Sequence, residues 1–179
     1  ADIRFRSTNM VSFDFNDKKM LEFSMISFSK LRALSIPKLY GRSTNLENIG
    51  LTITNLTVAS CVSSDFIYLS KDAPMLKYLH VNRISSCDLN ESAIQAIHLK
   101  HIIIDGLSEN FANLKIFLKQ IPNLKSLKLS STDRADMIDA LEWNCFIKTY
   151  LSHLKIFQFK FECTFSDVLL KKCQLFQHY

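Results

Sequence analysis

One arrangement of apolar positions keeps returning along the chain: an apolar residue, a second three positions on, and a third two beyond that. It occurs as LRALSI from Leu31, LENIGL from Leu46, LKYLHV from Leu76, LKHIII from Leu99, LKSLKL from Leu124 and LKIFQF from Leu154, with a weaker MVSFDF from Met10. The end of each hexad alternates apolar with other residues, the period of two that marks a half-buried strand. Between hexads the apolar spacing lengthens to three and four. In SENFANLKIFLKQIP, residues Phe111, Leu114, Phe117, Leu118 and Ile121 make one sticky helix face, with Ser108 as the expected N-cap and Pro122 as the stop. In STDRADMIDALEWNCFIKTYL a cap at Thr132 or Asp133 leads into Met137, Ile138, Leu141, Cys145 and Ile147, the longest helix expected. SSDFIYLSKDAP and NESAIQAIH predict shorter helices, and SDVLLKKCQLFQ a final one capped by Ser166.

The hexad starts are separated by 21, 15, 30, 23, 25 and 30 residues. Most of these lie in or beside the range of about 20 to 29 residues typical of leucine-rich repeats. The gap of 15 is too short for a strand and a helix, so the copy at Leu46 follows a bare loop. Alternatively LRALSI and LENIGL pair as a hairpin around PKLYGRSTN. Strand and helix in alternation, with crossovers of this length, imply parallel strands joined right-handedly. The expected fold is therefore α/β: a right-handed leucine-rich-repeat solenoid, with a parallel β-sheet on its concave side and helices on its convex side. Residues 1–179 read as a single repeat domain. Starting at ADIRFRSTNM, without an initiator Met or an apolar leader, the chain reads as a fragment of a longer protein.

Composition changes this picture little. Hydrophobic residues make up 47% and charged residues 22%, a globular balance, and no stretch approaches the ~20 apolar residues that span a bilayer, so no membrane role is expected. The 22 basic residues outnumber the 17 acidic ones by five, but they are spread along the chain. Doublets such as Lys18-Lys19 and Lys171-Lys172 are too short for a phosphate-tracking stripe, which disfavours nucleic acid as a partner. The five cysteines, Cys61, Cys87, Cys145, Cys163 and Cys173, form no CxxC and have an odd count. That is the usage of a reducing compartment, cytoplasmic or nuclear, and it lacks zinc-ligand spacing. Two glycosylation triplets, at Asn55 and Asn90, keep a secreted or surface recognition receptor as an alternative.

The phrases LKQIPNLKSLKLSS and DMIDALEWNCFIKTYLSHLKIFQFKF resemble the repeat region of invertebrate F-box proteins with leucine-rich repeats. The resemblance covers about the last third of the chain; elsewhere only the repeat pattern is shared. It implies a substrate-recognition segment of a ubiquitin ligase, whose F-box recruits the cullin-ligase adaptor. These 179 residues hold no F-box, so adaptor-binding residues have no counterpart here.

In a strand of this kind positions 1, 4 and 6 of the hexad enter the core, and positions 3, 5 and 7 reach the concave face. The expected partner-binding residues are Tyr78 and His80 on one strand, then His101, Ile103 and Asp105, then Lys128, and finally Gln158 and Lys160. Tyr78, His101 and Ile103 would form an aromatic and apolar centre, with Asp105, Lys128 and Lys160 at its rim, as at protein interfaces. Equally, HIIIDGL reads as a strand covered by a flanking loop, or the register is off by one, which would send every candidate into the core. His80 and His101 invite a catalytic or metal reading, but no nucleophile stands in arrangement with them, and no glycine-rich loop or HExxH is present. Asp133, Asp136 and Asp139 at intervals of three read as carboxylates complementing a helix dipole. Trp143 and the 14 phenylalanines read as core. The expectation is a protein-binding module that is not an enzyme and takes no cofactor or metal.

Overall fold

The computed structural model describes residues 4–6, 10–12, 32–38, 52–62, 69, 73–85, 95–132, 137 and 139–162. Nine strands, β1 (Arg4–Arg6), β2 (Met10–Ser12), β3 (Ala33–Lys38), β4 (Asn55–Val62), β5 (Tyr78–Val81), β6 (Ile84–Ser85), β7 (His101–Leu107), β8 (Ser126–Thr132) and β9 (Ile156–Glu162), form one sheet. Its order is β1-β2-β3-β4-β5-β7-β8-β9, with β6 between β4 and β7. Only β1 against β2 is antiparallel; every other pairing is parallel. The two described helices are α1 (Phe111–Lys119) and α2 (Ala140–Tyr150).

Pairing is in step with the hexads. Ala33 faces Asn55, Asn55 faces Tyr78, Tyr78 faces His101, His101 faces Ser126 and Ser126 faces Ile156. Each of these is position 3 of an apolar triplet, which shows that one was overlooked: ITNLTV, from Ile53, supplies β4. The expected copy at Leu46 lies outside the described residues except for Thr52, which precedes β4. At the other end Met10 pairs with Ala33, so MVSFDF is two residues out of phase, and the unit in phase starts at Thr8, a polar residue where the other copies are apolar. With starts at 8, 31, 53, 76, 99, 124 and 154 the awkward gap of 15 disappears, and the spacings become 23, 22, 23, 23, 25 and 30. The alternative hairpin is excluded as well, because β3 is paired in parallel on both edges.

The same step recurs in the backbone just before each strand. The carbonyl of Arg32 accepts from the N–H groups of Thr54 and Asn55; that of Thr54 accepts from Lys77 and Tyr78. Lys77 does the same for Lys100 and His101, Lys100 for Lys125 and Ser126, and Lys125 for Lys155 and Ile156, all at 2.8–3.1 Å. A strand entry repeated with identical partners leaves none of these donors unsatisfied, as buried backbone requires.

Burial follows the alternation. Leu34, Leu56, Leu79, Ile102 and Leu127 are buried at position 4, and Val58, Val81, Ile104 and Leu129 at position 6. Helix α1 starts where Asn110 caps it, its side chain accepting from the Asn113 N–H at 2.7 Å; the expected cap, Ser108, lies two residues upstream. Glu109 Oε1 accepts from the Asn110 N–H and from Asn113 Nδ2, holding the cap in place. The predicted stripe Phe111, Leu114, Phe117, Leu118 and Ile121 is buried throughout.

Helix α2 departs further from expectation. Its cap is Asp139, whose carboxylate accepts from the N–H groups of Leu141 and Glu142, while Thr132 ends β8 and Asp133 lies outside the described residues. The later start rotates the buried stripe to Trp143 and Phe146, leaving Leu141 72% exposed and Cys145 on the surface. Trp143 packs on Phe111 of α1 at 4.5 Å between ring centroids and on Phe157 of β9 at 4.8 Å, and its Nε1–H donates to the Met137 carbonyl. Lys115 to Glu142 and Lys119 over the Tyr150 ring tie α1 to α2 from outside. These ring contacts put α2 on the sheet face that carries Phe157, leaving the other face open around Tyr78 and His101. Of NESAIQAIH only residues 95–98 are described, as coil and turn; SDVLLKKCQLFQ, and all of SSDFIYLSKDAP except Leu69, Ala73 and Pro74, fall outside. Among the described residues no helix is long and apolar enough to cross a membrane.

Candidate functional site

Because the strands pair in register, hexad positions 3 and 5 form rows across the open face. One row runs Asn55, Tyr78, His101, Ser126, Ile156 and the next Thr57, His80, Ile103, Lys128, Gln158. The one-residue slip is excluded, since Leu79 and Ile102, between the candidates, are fully buried. Tyr78, His80 and Ile103 are half-buried, whereas His101, Asp105, Lys128, Gln158 and Lys160 are exposed. Ser126, expected on the face, is only 8% exposed. Tyr78 and His101 stand directly opposite, ring centroids 6.5 Å apart and tilted by 36°. Ile156, 48% exposed, extends the apolar centre onto β9.

The structure joins two candidates that the sequence left apart. Across 25 residues His80 Nε2 meets Asp105 Oδ2 at 2.7 Å, close enough for the ring N–H to donate to the carboxylate. On the His80 side β7 stays in step with its neighbours, Val81 facing Ile104 and Ile84 facing Leu107, so plain alternation puts Asp105 on the face of His80. Between Ile104 and Leu107 the strand β7 spends three steps where β8, from Leu129 to Ser131, spends two. This bulge therefore lies on the β8 side of β7, away from His80. The neighbour of Asp105, Gly106, is pressed against the bend between β5 and β6: a Cβ there would lie 2.9 Å from the Asn82 carbonyl oxygen, so only glycine fits without a shift. Beyond the bulge the Ser131 hydroxyl donates to the Leu107 carbonyl and closes the irregular step.

Ile103, Asp105, Lys128, Gln158 and Lys160 border one open depression of about 400 Å³ over β7, β8 and β9, shared with Ser130. Five of the eight candidates thus come together there, and Tyr78, His80 and His101 adjoin it on β5 and β7. The depression has an aliphatic side chain, two amines, a carboxylate and an amide on its rim, a mixture suited to contacting a polypeptide. Among the described residues no cluster of three His, Cys, Asp or Glu could hold a metal ion. Cys61 is buried and Cys145 exposed.

The feature that spacing missed is Thr57, contributed by the overlooked triplet from Ile53. Its signal was present, since ITNLTV has the apolar triplet with Ile and Val in place of Leu. No family model matches the chain, and no curated protein or solved structure matches it.

Proposed function

We propose that this chain is a leucine-rich-repeat solenoid working as a non-enzymatic protein-interaction module, which takes its partner on the open sheet face around Tyr78, His101, Ile103 and Ile156. The observation that carries the reading is the strand entry repeated on β4, β5, β7, β8 and β9, each bonded to the preceding entry through the same hexad position. A core built by stacking equal units has its variable residues on the face between the leucines, and repeat arrays use such surfaces for binding. The open depression beside aromatic and aliphatic side chains has the make-up of an interface centre with a polar rim.

The resemblance of the last third to F-box repeat proteins makes the partner a ubiquitination substrate, with the adaptor of a cullin ligase recruited by an F-box elsewhere in the protein. A cytoplasmic or nuclear site of action goes with this, and the odd cysteine count without a CxxC is in keeping with it.

The test uses a protein captured by the full chain and compares two variants. Tyr78→Ala with Ile103→Ser is expected to weaken that binding at least tenfold while the melting temperature changes little; unchanged binding would remove the open face as the site. Co-purification of the full-length protein with the cullin adaptor checks the ligase half, which fails if no adaptor is bound.

A further inference from the structure

Resting on the reading of the open face as a partner site, we infer that the partner presents an acidic, extended polypeptide segment to a row of lysines along the strand entries. Position 2 of four successive hexads is lysine: Lys77, Lys100, Lys125 and Lys155. In sequence these residues stand 23, 25 and 30 positions apart and look scattered. The fold makes them immediate neighbours. The Lys100 N–H donates to the Lys77 carbonyl at 2.9 Å, Lys125 to Lys100 at 2.8 Å and Lys155 to Lys125 at 2.9 Å. Lys77, Lys125 and Lys155 are exposed and Lys100 is half-buried. Neither ion pair found among the described residues involves any of the four.

Strands in a sheet lie about 4.8 Å apart, so neighbouring entries sit well inside the screening length of about 8 Å at physiological salt. Their fields add, and like charges set side by side cost stability when nothing opposes them. An anionic chain lying across the entries would relieve that repulsion. Four entries cover about 14 Å, which an extended peptide spans with carboxylates at every second residue, because alternate side chains repeat at about 6.8 Å.

Apolar side chains beside the row favour a polypeptide over nucleic acid. One residue along from the row are Tyr78, His101 and Ile156, the latter 48% exposed, and Met75 and Ile97 in the turns before the entries are 43% and 50% exposed. These suit apolar side chains alternating with carboxylates.

The experiment is fluorescence anisotropy of the full 179-residue chain with a labelled ten-residue peptide carrying glutamate at every second position and leucine or serine between. A lysine counterpart and a random single-stranded oligonucleotide serve as controls. Binding of the glutamate peptide is expected to fall at least tenfold when Lys77, Lys100, Lys125 and Lys155 are all changed to Gln, and several-fold between 50 and 200 mM salt, while the melting temperature of the variant stays the same or rises as the repulsion is removed. No binding of the glutamate peptide at low salt, equal binding by the wild type and the quadruple variant, or tighter binding of the oligonucleotide would each overturn the inference. A captured protein that needs Tyr78 and Ile103 but ignores the four Lys→Gln changes would leave the open-face reading standing and remove this one alone.

Discussion

Asp105 and Gly106 show how much of the candidate site depends on two adjacent residues. The His80–Asp105 contact is short, but the side chains keep 28% and 56% of their exposure, so solvent screens the pair. Exposed pairs of this kind contribute about 0–1 kcal/mol. Asp105→Asn should therefore lower stability by less than about 1 kcal/mol in chemical denaturation, while the His80 ring resonances shift in an NMR spectrum as the ring loses its anchor. Gly106→Ala is the opposite case. The added methyl meets backbone oxygen at 2.9 Å rather than a flexible side chain, and forced overpacking of that sort costs about 1–3 kcal/mol, measurable as a lower urea midpoint. The carboxylate partner of His80 could not be read from sequence, because the pairing that sets Ile103 opposite His80, and so Asp105 within its reach, joins strands 25 residues apart.

At the level of elements, the helices were legible as helices and misread at their starts. Two residues near the first start, Ser108 and Asn110, and three near the second, Thr132, Asp133 and Asp139, could accept a backbone N–H, and spacing does not choose among them. Where β8 ends decides the second case: Thr132 is the last residue of that strand, so α2 starts later and turns a different stripe inward. Asp139→Ala removes the acceptor for two N–H groups and should cost about 1 kcal/mol, read as a drop in thermal midpoint. Trp143→Phe keeps a ring against Phe111 and Phe157 but leaves the Met137 carbonyl without its indole donor. The expected loss is about 1–3 kcal/mol from the unsatisfied buried acceptor, in the same denaturation assay.

Across the whole molecule the sheet separates buried from exposed side chains by alternation. Ile102 and Ile156 are both isoleucines at strand positions, yet Ile102 is fully buried and Ile156 is 48% exposed. Ile102→Ala should cost about 2–5 kcal/mol through lost transfer energy and a cavity. Ile156→Ser should leave the unfolding midpoint nearly unchanged, and a large loss there would mean that the face is covered.

What the sequence by itself determined is the unit: an apolar triplet that must alternate as a strand, linkers with helical spacing, and hence the parallel α/β sheet and the identity of the buried leucines. Those follow from local periodicity, which every copy states anew. The phase of the copies, the bulge at Asp105 and Gly106, the pairing with His80 and the alignment of Lys77, Lys100, Lys125 and Lys155 were decided only by tertiary structure. Each depends on which carbonyl a strand entry bonds to in the preceding unit, and that relation joins residues more than twenty positions apart.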